Sequence, residues 1–290
     1  MKIEWYPGHM AKAKRQIAEV MPKIDLVIEI LDARLPMSSA NPMLEKLRGH
    51  KPCIKVLNKS DLADPEVTDL WVAYFDKMAG VKAIPLEAKK RSAAGQIPKL
   101  CRRLIPHRGV PGKTLRAMVI GIPNVGKSTL INTLAGKKMA RVGDKPAITT
   151  CPQQIDLRNG IHLADTPGLL WPDIRNQKSA YRLAASGAIG EGGMDYQEVA
   201  LFAAEYLMGR YYAALASRYK LVEKPESASA LIDEIGRKRG CLIAGGSIDQ
   251  LRASELLLRE LRAGLIGRVS LERPGDDDVS DGEEEDGRDS

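Results

Sequence analysis

The sequence predicts an α/β fold, with a parallel-rich sheet that carries a phosphate loop, followed by a small all-helical domain. Three observations carry this prediction. Short apolar runs that read as strands alternate with helical stretches up to residue 172. One of them, Ala117-Met118-Val119-Ile120, enters Gly121-Ile122-Pro123-Asn124-Val125-Gly126-Lys127-Ser128 and then the helical pattern Thr129-Leu130-Ile131-Asn132-Thr133-Leu134. After Leu170-Trp171-Pro172 the strand-like runs stop and longer helical patterns take over. The expected division is 1–172 for the sheet domain, 173–272 for the helical domain and 273–290 for an acidic, disordered tail.

In chain order, residues 10–21 predict an amphipathic basic helix, with Ile17, Val20 and Met21 on one side and Lys12, Lys14 and Arg15 turned to solvent. His9 stands just before it, beside Gly8. The run 25–31 reads as a strand and 41–47 as a short helix. A second strand, Cys53-Ile54-Lys55-Val56-Leu57, ends in Asn58-Lys59-Ser60-Asp61, the N-K-x-D form with which GTPases read guanine. Asp61 would accept from guanine N1–H and the exocyclic amine, a donor pair that adenine does not present together. Lys59 would lie along the base and the phosphate loop, and Asn58 would tie the two loops together. A helix over 67–79 and a strand over 81–86 follow. Glu87-Ala88-Lys89 then stands where GTPases usually have S-A-K, so Ala88 and Lys89 join the guanine set. Glu87 in place of Ser puts the side-chain contact in question, not the backbone one.

The Pro- and Gly-rich stretch 106–114 reads as an exposed crossing to the next strand. That strand leads into the match to G-x-x-x-x-G-K-S/T, in which glycines let backbone N–H groups close around phosphates. Asn124, Val125, Gly126, Lys127, Ser128 and Thr129 form the expected phosphate-binding set, with Lys127 reaching the β/γ-phosphates and Ser128 a ligand of Mg²⁺. Lys145-Pro146-Ala147-Ile148-Thr149-Thr150 is the natural place for a switch threonine on Mg²⁺, Thr149 being favoured over Thr150. The strand 160–164 ends in Asp165-Thr166-Pro167-Gly168, a D-x-x-G motif. There Asp165 would hold Mg²⁺ and the Gly168 N–H would sense the γ-phosphate. Leu169 follows, where Ras-like enzymes carry the glutamine that orients the attacking water.

Base recognition thus precedes the phosphate loop, whereas an ordinary GTPase places N-K-x-D last. The order describes a circularly permuted P-loop GTPase domain, admissible because all the motifs are loops at one edge of a shared sheet. With Trp5-Tyr6-Pro7-Gly8-His9-Met10, Asp32-Ala33-Arg34-Leu35-Pro36, Ser38-Ser39 and Asn41-Pro42, the chain closely resembles the YlqF/RbgA family of ribosome-biogenesis GTPases from residue 3 to about residue 272. The resemblance implies GTP hydrolysis stimulated by a precursor of the large ribosomal subunit, with that particle and its rRNA as partners and GTP and GDP as ligands. It also implies that His9, in the P-G-H-M motif, supplies the water contact missing at Leu169. Asn124 resembles the asparagine that holds K⁺ beside the phosphates in potassium-activated GTPases; its competing role is to tolerate a left-handed turn. Two alternatives stand beside this reading: a GTP-gated RNA-binding factor whose hydrolysis is incidental, and a tRNA-modification or signalling GTPase.

Helical patterns cover 199–222, with Leu201, Phe202, Tyr206, Leu207, Tyr211 and Leu215 as the apolar side. They recur over 228–238, capped by Ser227, and 248–262, capped by Ser247, with Leu251, Leu258, Leu261 and Ile266 turned inward. Arg237, Lys238, Arg239, Arg252, Arg259 and Arg262 are candidates to face RNA. Charge is unevenly spread: residues 275–290 hold a net −8, which leaves +15 on the rest of a chain whose total is +7. Most of that surplus, +13, lies in 1–169, and a basic body favours a polyanionic partner such as RNA. Cys53, Cys101, Cys151 and Cys241 form no C-x-x-C pair, which speaks against a zinc site or a disulfide framework. No apolar run approaches the roughly 20 residues needed to cross a bilayer, and Met1-Lys2-Ile3-Glu4 has no signal pattern. A cytoplasmic monomer with neither membrane nor DNA as partner is the expectation.

Overall fold

Six strands, β1 (Leu26–Asp32), β2 (Cys53–Asn58), β3 (Val81–Leu86), β4 (Leu115–Ile120), β5 (Gln153–Asp156) and β6 (Ile161–Asp165), form one sheet in the order β3-β2-β1-β4-β6-β5, all parallel except the edge strand β5, which pairs antiparallel with β6. The computed structural model describes residues 7–136, 153–166, 176–189 and 195–276, with side chains from Lys14 onward. Cys151 and the tail beyond 276 lie outside the described residues; Cys53, Cys101 and Cys241 are buried free thiols.

The lead-in helix α1 (Pro7–Val20) runs further toward the N-terminus than expected, starting on a proline whose missing N–H has no helical partner to lose. Ile17 is buried, as is Met21 in the 3₁₀ turn Met21–Lys23. Next come β1 (Leu26–Asp32), the one-turn helix α2 (Pro36–Ser39), α3 (Pro42–Arg48), β2 (Cys53–Asn58), α4 (Pro65–Asp76) and β3 (Val81–Leu86). Asn41 caps α3 through Met43 N at 3.0 Å, and Asp64 caps α4 through Glu66 N and Val67 N. Two short helices, α5 (Arg91–Ala94) and α6 (Gln96–Leu104), precede the crossing. The crossing itself holds no helix or strand beyond an isolated bridge between Val110 and Lys113. Beyond it lie β4 (Leu115–Ile120), α7 (Lys127–Ala135), β5 (Gln153–Asp156) and β6 (Ile161–Asp165).

Because strand side chains alternate between faces, the apolar runs of β1, β2 and β4 cover both sides of the sheet. Leu26, Ile28, Ile30, Ile54, Val56, Ala117 and Val119 enter one buried cluster, while Val27, Leu31, Cys53, Leu57, Met118 and Ile120 enter the other, beneath α1 and α4. Besides Asp32 at the end of β1 and the exposed Arg116 of β4, the charged residues of these strands are Glu29 and Lys55, both buried. They are paired in register and joined by a buried 2.5 Å ion pair, and the Lys55 ammonium lies 4.9 Å from the Phe75 ring centroid.

The helical part comprises α8 (Gln177–Ser186), α9 (Tyr196–Arg210), α10 (Tyr212–Tyr219), α11 (Ala228–Arg239) and α12 (Gln250–Arg262). The single helix expected over 199–222 is therefore two. The chain breaks at Tyr211, whose hydroxyl donates to Asp64 Oδ2 at 3.0 Å and accepts from Ser270 N at 3.2 Å. Leu201 and Leu251, expected inward, are exposed, whereas Leu207, Leu215, Leu258, Leu261 and Ile266 are buried. Ser227 caps α11 as expected, but α12 is capped by Asp249 rather than Ser247. After α12 the chain returns to the sheet: Val269 N donates to Leu62 O and Leu271 N to Arg34 O.

Candidate guanine nucleotide site

All five parallel strands carry a candidate element at their C-terminal ends. This is the edge where open α/β sheets bind ligands. β2 ends in Asn58, β3 runs into Glu87-Ala88-Lys89, β1 ends in Asp32, β4 runs into the phosphate loop and β6 ends in Asp165. With β1 between β2 and β4, the candidate base-reading loop after β2 and the candidate phosphate loop after β4 sit on either side of Asp32.

Asn58 joins the two halves. Its Nδ2 donates to Val125 O in the phosphate loop at 2.6 Å, and its Oδ1 accepts from Ala88 N at 2.9 Å. Gly126 must be glycine here: its φ is 102°, and a Cβ would lie 2.3 Å from Asn58 Nδ2. Lys59 adopts a left-handed φ of 62°, and its ammonium meets Asp32 Oδ2 at 2.8 Å. Asp61 and Lys89 are exposed, Ala88 is buried, and the Glu87 carboxylate pairs with Lys90 at 2.6 Å.

Lys127, first residue of α7, is buried and donates to Gly121 O at 3.0 Å and Ile122 O at 2.7 Å. Burial pushes its pKa down to about 8 against the pull of Asp165. Asp165 is itself buried, and burial raises its carboxyl pKa more than Lys127 lowers it. Among the described residues, Asp165 Oδ1 has no hydrogen-bond partner, an orphaned anionic oxygen at the end of β6. Such an acceptor suits a hard cation, so the donor set Ser128 and Asp165 fits Mg²⁺. Ser128 and Thr129 are half-buried in the first turn of α7, and Thr166 Oγ1 donates to Val119 O at 2.7 Å. Asn124 has a left-handed φ of 59°, and its Nδ2 donates to Gly187 O at 3.3 Å. The left-handed turn is thus one reason for asparagine at this position. The His9 side chain, Thr149, Thr150, Gly168 and Leu169 lie outside the described residues.

A family model described as "50S ribosome-binding GTPase" matches residues 116–200. Ribosome biogenesis GTPase A of Bacillus cereus is 46% identical over 281 residues, covering 94% of this chain and 95% of that protein. The chain belongs to the ribosome biogenesis GTPase A family. Its Thermotoga maritima relative of the same name is 33% identical, covering 94% of this chain and 95% of that one. The solved GDP-bound and GNP-bound structures of YlqF are each 30% identical, with TM-scores of 0.66 and 0.64 and coverage of 90% and 91% of this chain and 100% and 98% of theirs. Mitochondrial ribosome-associated GTPase 1 of Mus musculus is 33% identical over 294 residues, covering 93% of this chain and 90% of that protein.

Asp32 and Arg34, to which the motifs alone assign no role, join this site. Arg34 grips Asp32 through both oxygens, Nε to Oδ1 at 2.9 Å and Nη2 to Oδ2 at 2.8 Å. Burial alone would raise the Asp32 pKa, but Arg34 and Lys59 outweigh it and hold the carboxyl well below its usual range. Ser39 Oγ accepts from Asp32 N at 3.0 Å, and Arg34 Nη2 reaches Ser186 O, at the end of α8, at 3.3 Å. The signal was available: Asp32 ends a strand beside the strand that carries N-K-x-D. Arg262, a candidate to face RNA, instead donates to Ala184 O and Ala185 O at the end of α8. Arg252 and Arg259 are exposed. Arg237 and Lys238 pair with Glu234, and Arg239 lies over the Tyr219 ring.

Proposed function

We propose that the protein is a GTPase that binds a precursor of the large ribosomal subunit, promotes a late step of its assembly and hydrolyses GTP to GDP and phosphate on that particle. The observation that carries this reading is the Asn58 bridge. In a chain of this family, it ties the base-reading loop to the phosphate loop at one sheet edge. Asn58, Lys59, Asp61, Ala88 and Lys89 take the guanine. Asn124, Val125, Gly126, Lys127, Ser128 and Thr129 take the phosphates, and Lys127 moves its donors from loop carbonyls to phosphate oxygens. Ser128 and Asp165 hold Mg²⁺, with Thr149 completing the set. When bound, that ion offsets negative charge on the β- and γ-phosphates. Gly168 reports the γ-phosphate, and His9 orients water in place of the glutamine absent at Leu169. Asn124 Oδ1 contributes to a K⁺ site.

The division of labour follows 1–172 for nucleotide, 173–272 for rRNA and 273–290 for the acidic tail. A cytoplasmic location suits this work, and no helix among the described residues is long and apolar enough to cross a membrane. The test is GTP turnover by the protein alone and with isolated large subunits, in potassium and in sodium buffer. Subunit-stimulated turnover is the expected result, with potassium exceeding sodium if Asn124 serves the cation. Slow turnover unchanged in all four conditions would overturn the proposal in favour of a binding switch.

A further inference from the structure

The loop that follows Asp61 is held from behind by residues that arrive some two hundred positions later. Arg268 donates from Nη2 to Ser60 O at 2.9 Å and from Nε to Ala63 O at 2.8 Å. Val269 N donates to Leu62 O at 2.9 Å, and Asp64 N donates to Ser270 Oγ at 3.2 Å. The carbonyls of Ser60 and Leu62, on the two sides of Asp61, and that of Ala63 therefore all accept from a single short segment, 264–272, while Ser60 N donates to Leu86 O and Leu62 N to Lys59 O within the sheet edge. The first residue of the segment fits closely: Gly264 has a φ of 71°, and a Cβ there would lie 2.7 Å from Leu62 Cδ2.

The same segment is pinned at its far end. Ser270 N donates to the Tyr211 hydroxyl at 3.2 Å, Leu271 N to Arg34 O at 2.6 Å and Trp71 Nε1 to Glu272 O at 3.2 Å. The buried Glu272 carboxylate accepts from Met37 N at 2.5 Å, Ser38 N at 3.0 Å, Ser38 Oγ and Arg182 Nη1 at 3.2 Å. Val269, Ser270, Leu271 and Glu272 are all buried. A rigid strap continuing from α12 thus grips the base-reading loop.

We propose that 264–272 positions the guanine loop, with Arg268 as a positioning residue that sets the direction of Asp61 and so the selectivity for guanine. This rests on the reading of 58–61 as the base-reading loop. The Asp61 side chain is exposed, so its aim is set by its backbone, and the carbonyls on both sides of it are held by the strap. The permuted order makes this possible. The loop that an ordinary GTPase places late in its domain here leads from β2 into α4, where a later part of the chain can reach it.

The test compares the Kd values of GTP and inosine triphosphate, which lacks the exocyclic amine that Asp61 accepts from. Their ratio reports the Asp61 contact and is blind to a general loss of phosphate affinity. Arg268→Ala is expected to narrow the preference for GTP on the order of threefold, from the loss of charge-assisted bonds at a partly exposed site. Arg268→Lys, able to reach one carbonyl, should fall between. Its KM for GTP should rise more than its kcat falls. Ser270→Ala removes only the acceptor for Asp64 N and should shift the ratio the same way by less, which keeps the test alive if Arg268→Ala does not fold. A ratio unchanged in the folded variants, with both nucleotides weakened equally, would overturn the proposal and leave the strap as packing. Asp61→Asn separates the two readings, since it should exchange guanine for xanthine preference. If that exchange fails, the base-reading assignment falls and the strap's role with it. If it succeeds while the Arg268→Ala ratio stays put, the strap alone is wrong.

Discussion

The Lys127 ammonium is buried with two carbonyl oxygens as its acceptors, Gly121 O and Ile122 O, and burial lowers its pKa from 10.5 to about 8. A lowered lysine pKa in the native state means that the unfolded chain binds the proton more tightly. Stability therefore rises with pH between about 8 and 10.5, and the full cost of burying the charge stands below pH 8. A shift of that size corresponds to about 3 kcal/mol, less what the two carbonyl bonds return. Lys127→Met should stabilise the nucleotide-free protein by about 1–3 kcal/mol at pH 7, and the gain should shrink as pH climbs past 8. Urea midpoints across that range measure it. A Met variant less stable than the parent at pH 7 would show that carbonyl bonding outweighs burial. Nucleotide affinity should collapse in the same variant, because the ammonium proposed to meet phosphate oxygens is gone.

At the scale of elements, α12 separates two candidate caps. Asp249 has extended backbone and accepts from Arg252 N at 3.0 Å, whereas Ser247 lies two residues before it, where its carbonyl accepts from Ile243 N at 3.0 Å. Asp249→Ala should cost about 1 kcal/mol and Ser247→Ala only a few tenths, read from thermal or urea unfolding. Equal losses would restore Ser247 as the cap. The same contrast shows where the sequence was legible. The apolar strands and the motifs at their ends could be read locally, because alternating burial and phosphate-loop chemistry need only neighbouring residues. The edge strand β5 could not, since Gln153-Gln154-Ile155-Asp156 has no apolar alternation to betray it. In α6, Pro98 sits within the first turn, where its missing N–H costs nothing, yet it reads as a breaker. The α9–α10 break was hidden for another reason: Tyr211 leaves the helix to meet Asp64 and Ser270, partners 147 and 59 residues away. Asp32 was legible in part: its place at the end of an apolar strand, two residues before Arg34, is local, whereas its ion pair with Lys59 depends on a neighbouring strand end.

For the whole molecule, the question is whether sheet and helices respond to nucleotide as one unit. One buried cluster runs without interruption from Ile28, Ile30 and Val119 in the sheet to Leu183, Leu207, Leu257 and Leu271 in the helical part. Polar contacts reinforce it at separate points: Ser38 with Glu272, Arg34 with Ser186 O, Asn124 with Gly187 O and Tyr211 with Asp64. Two of these meet the C-terminal end of α8, Arg34 at Ser186 O from the loop after β1 and Asn124 at Gly187 O from the loop after β4. Breaking the helical part away would leave buried charges and apolar surface uncovered, at a cost well above that of loosening a peripheral helix. Nucleotide binding should therefore be felt beyond the sheet. At a hundredfold excess over Kd, a ligand that binds only the native state adds about 2.7 kcal/mol to global unfolding. If the chain unfolds as one unit, amide exchange that requires global opening should slow by about a hundredfold in α9, α11 and α12 as well as in β1 and β4. Protection confined to the strands, or two separate melting transitions, would show instead that the helical part opens on its own. In that case nucleotide state would reach it only through local contacts, those at the end of α8 and those of 264–272 with the loop after β2.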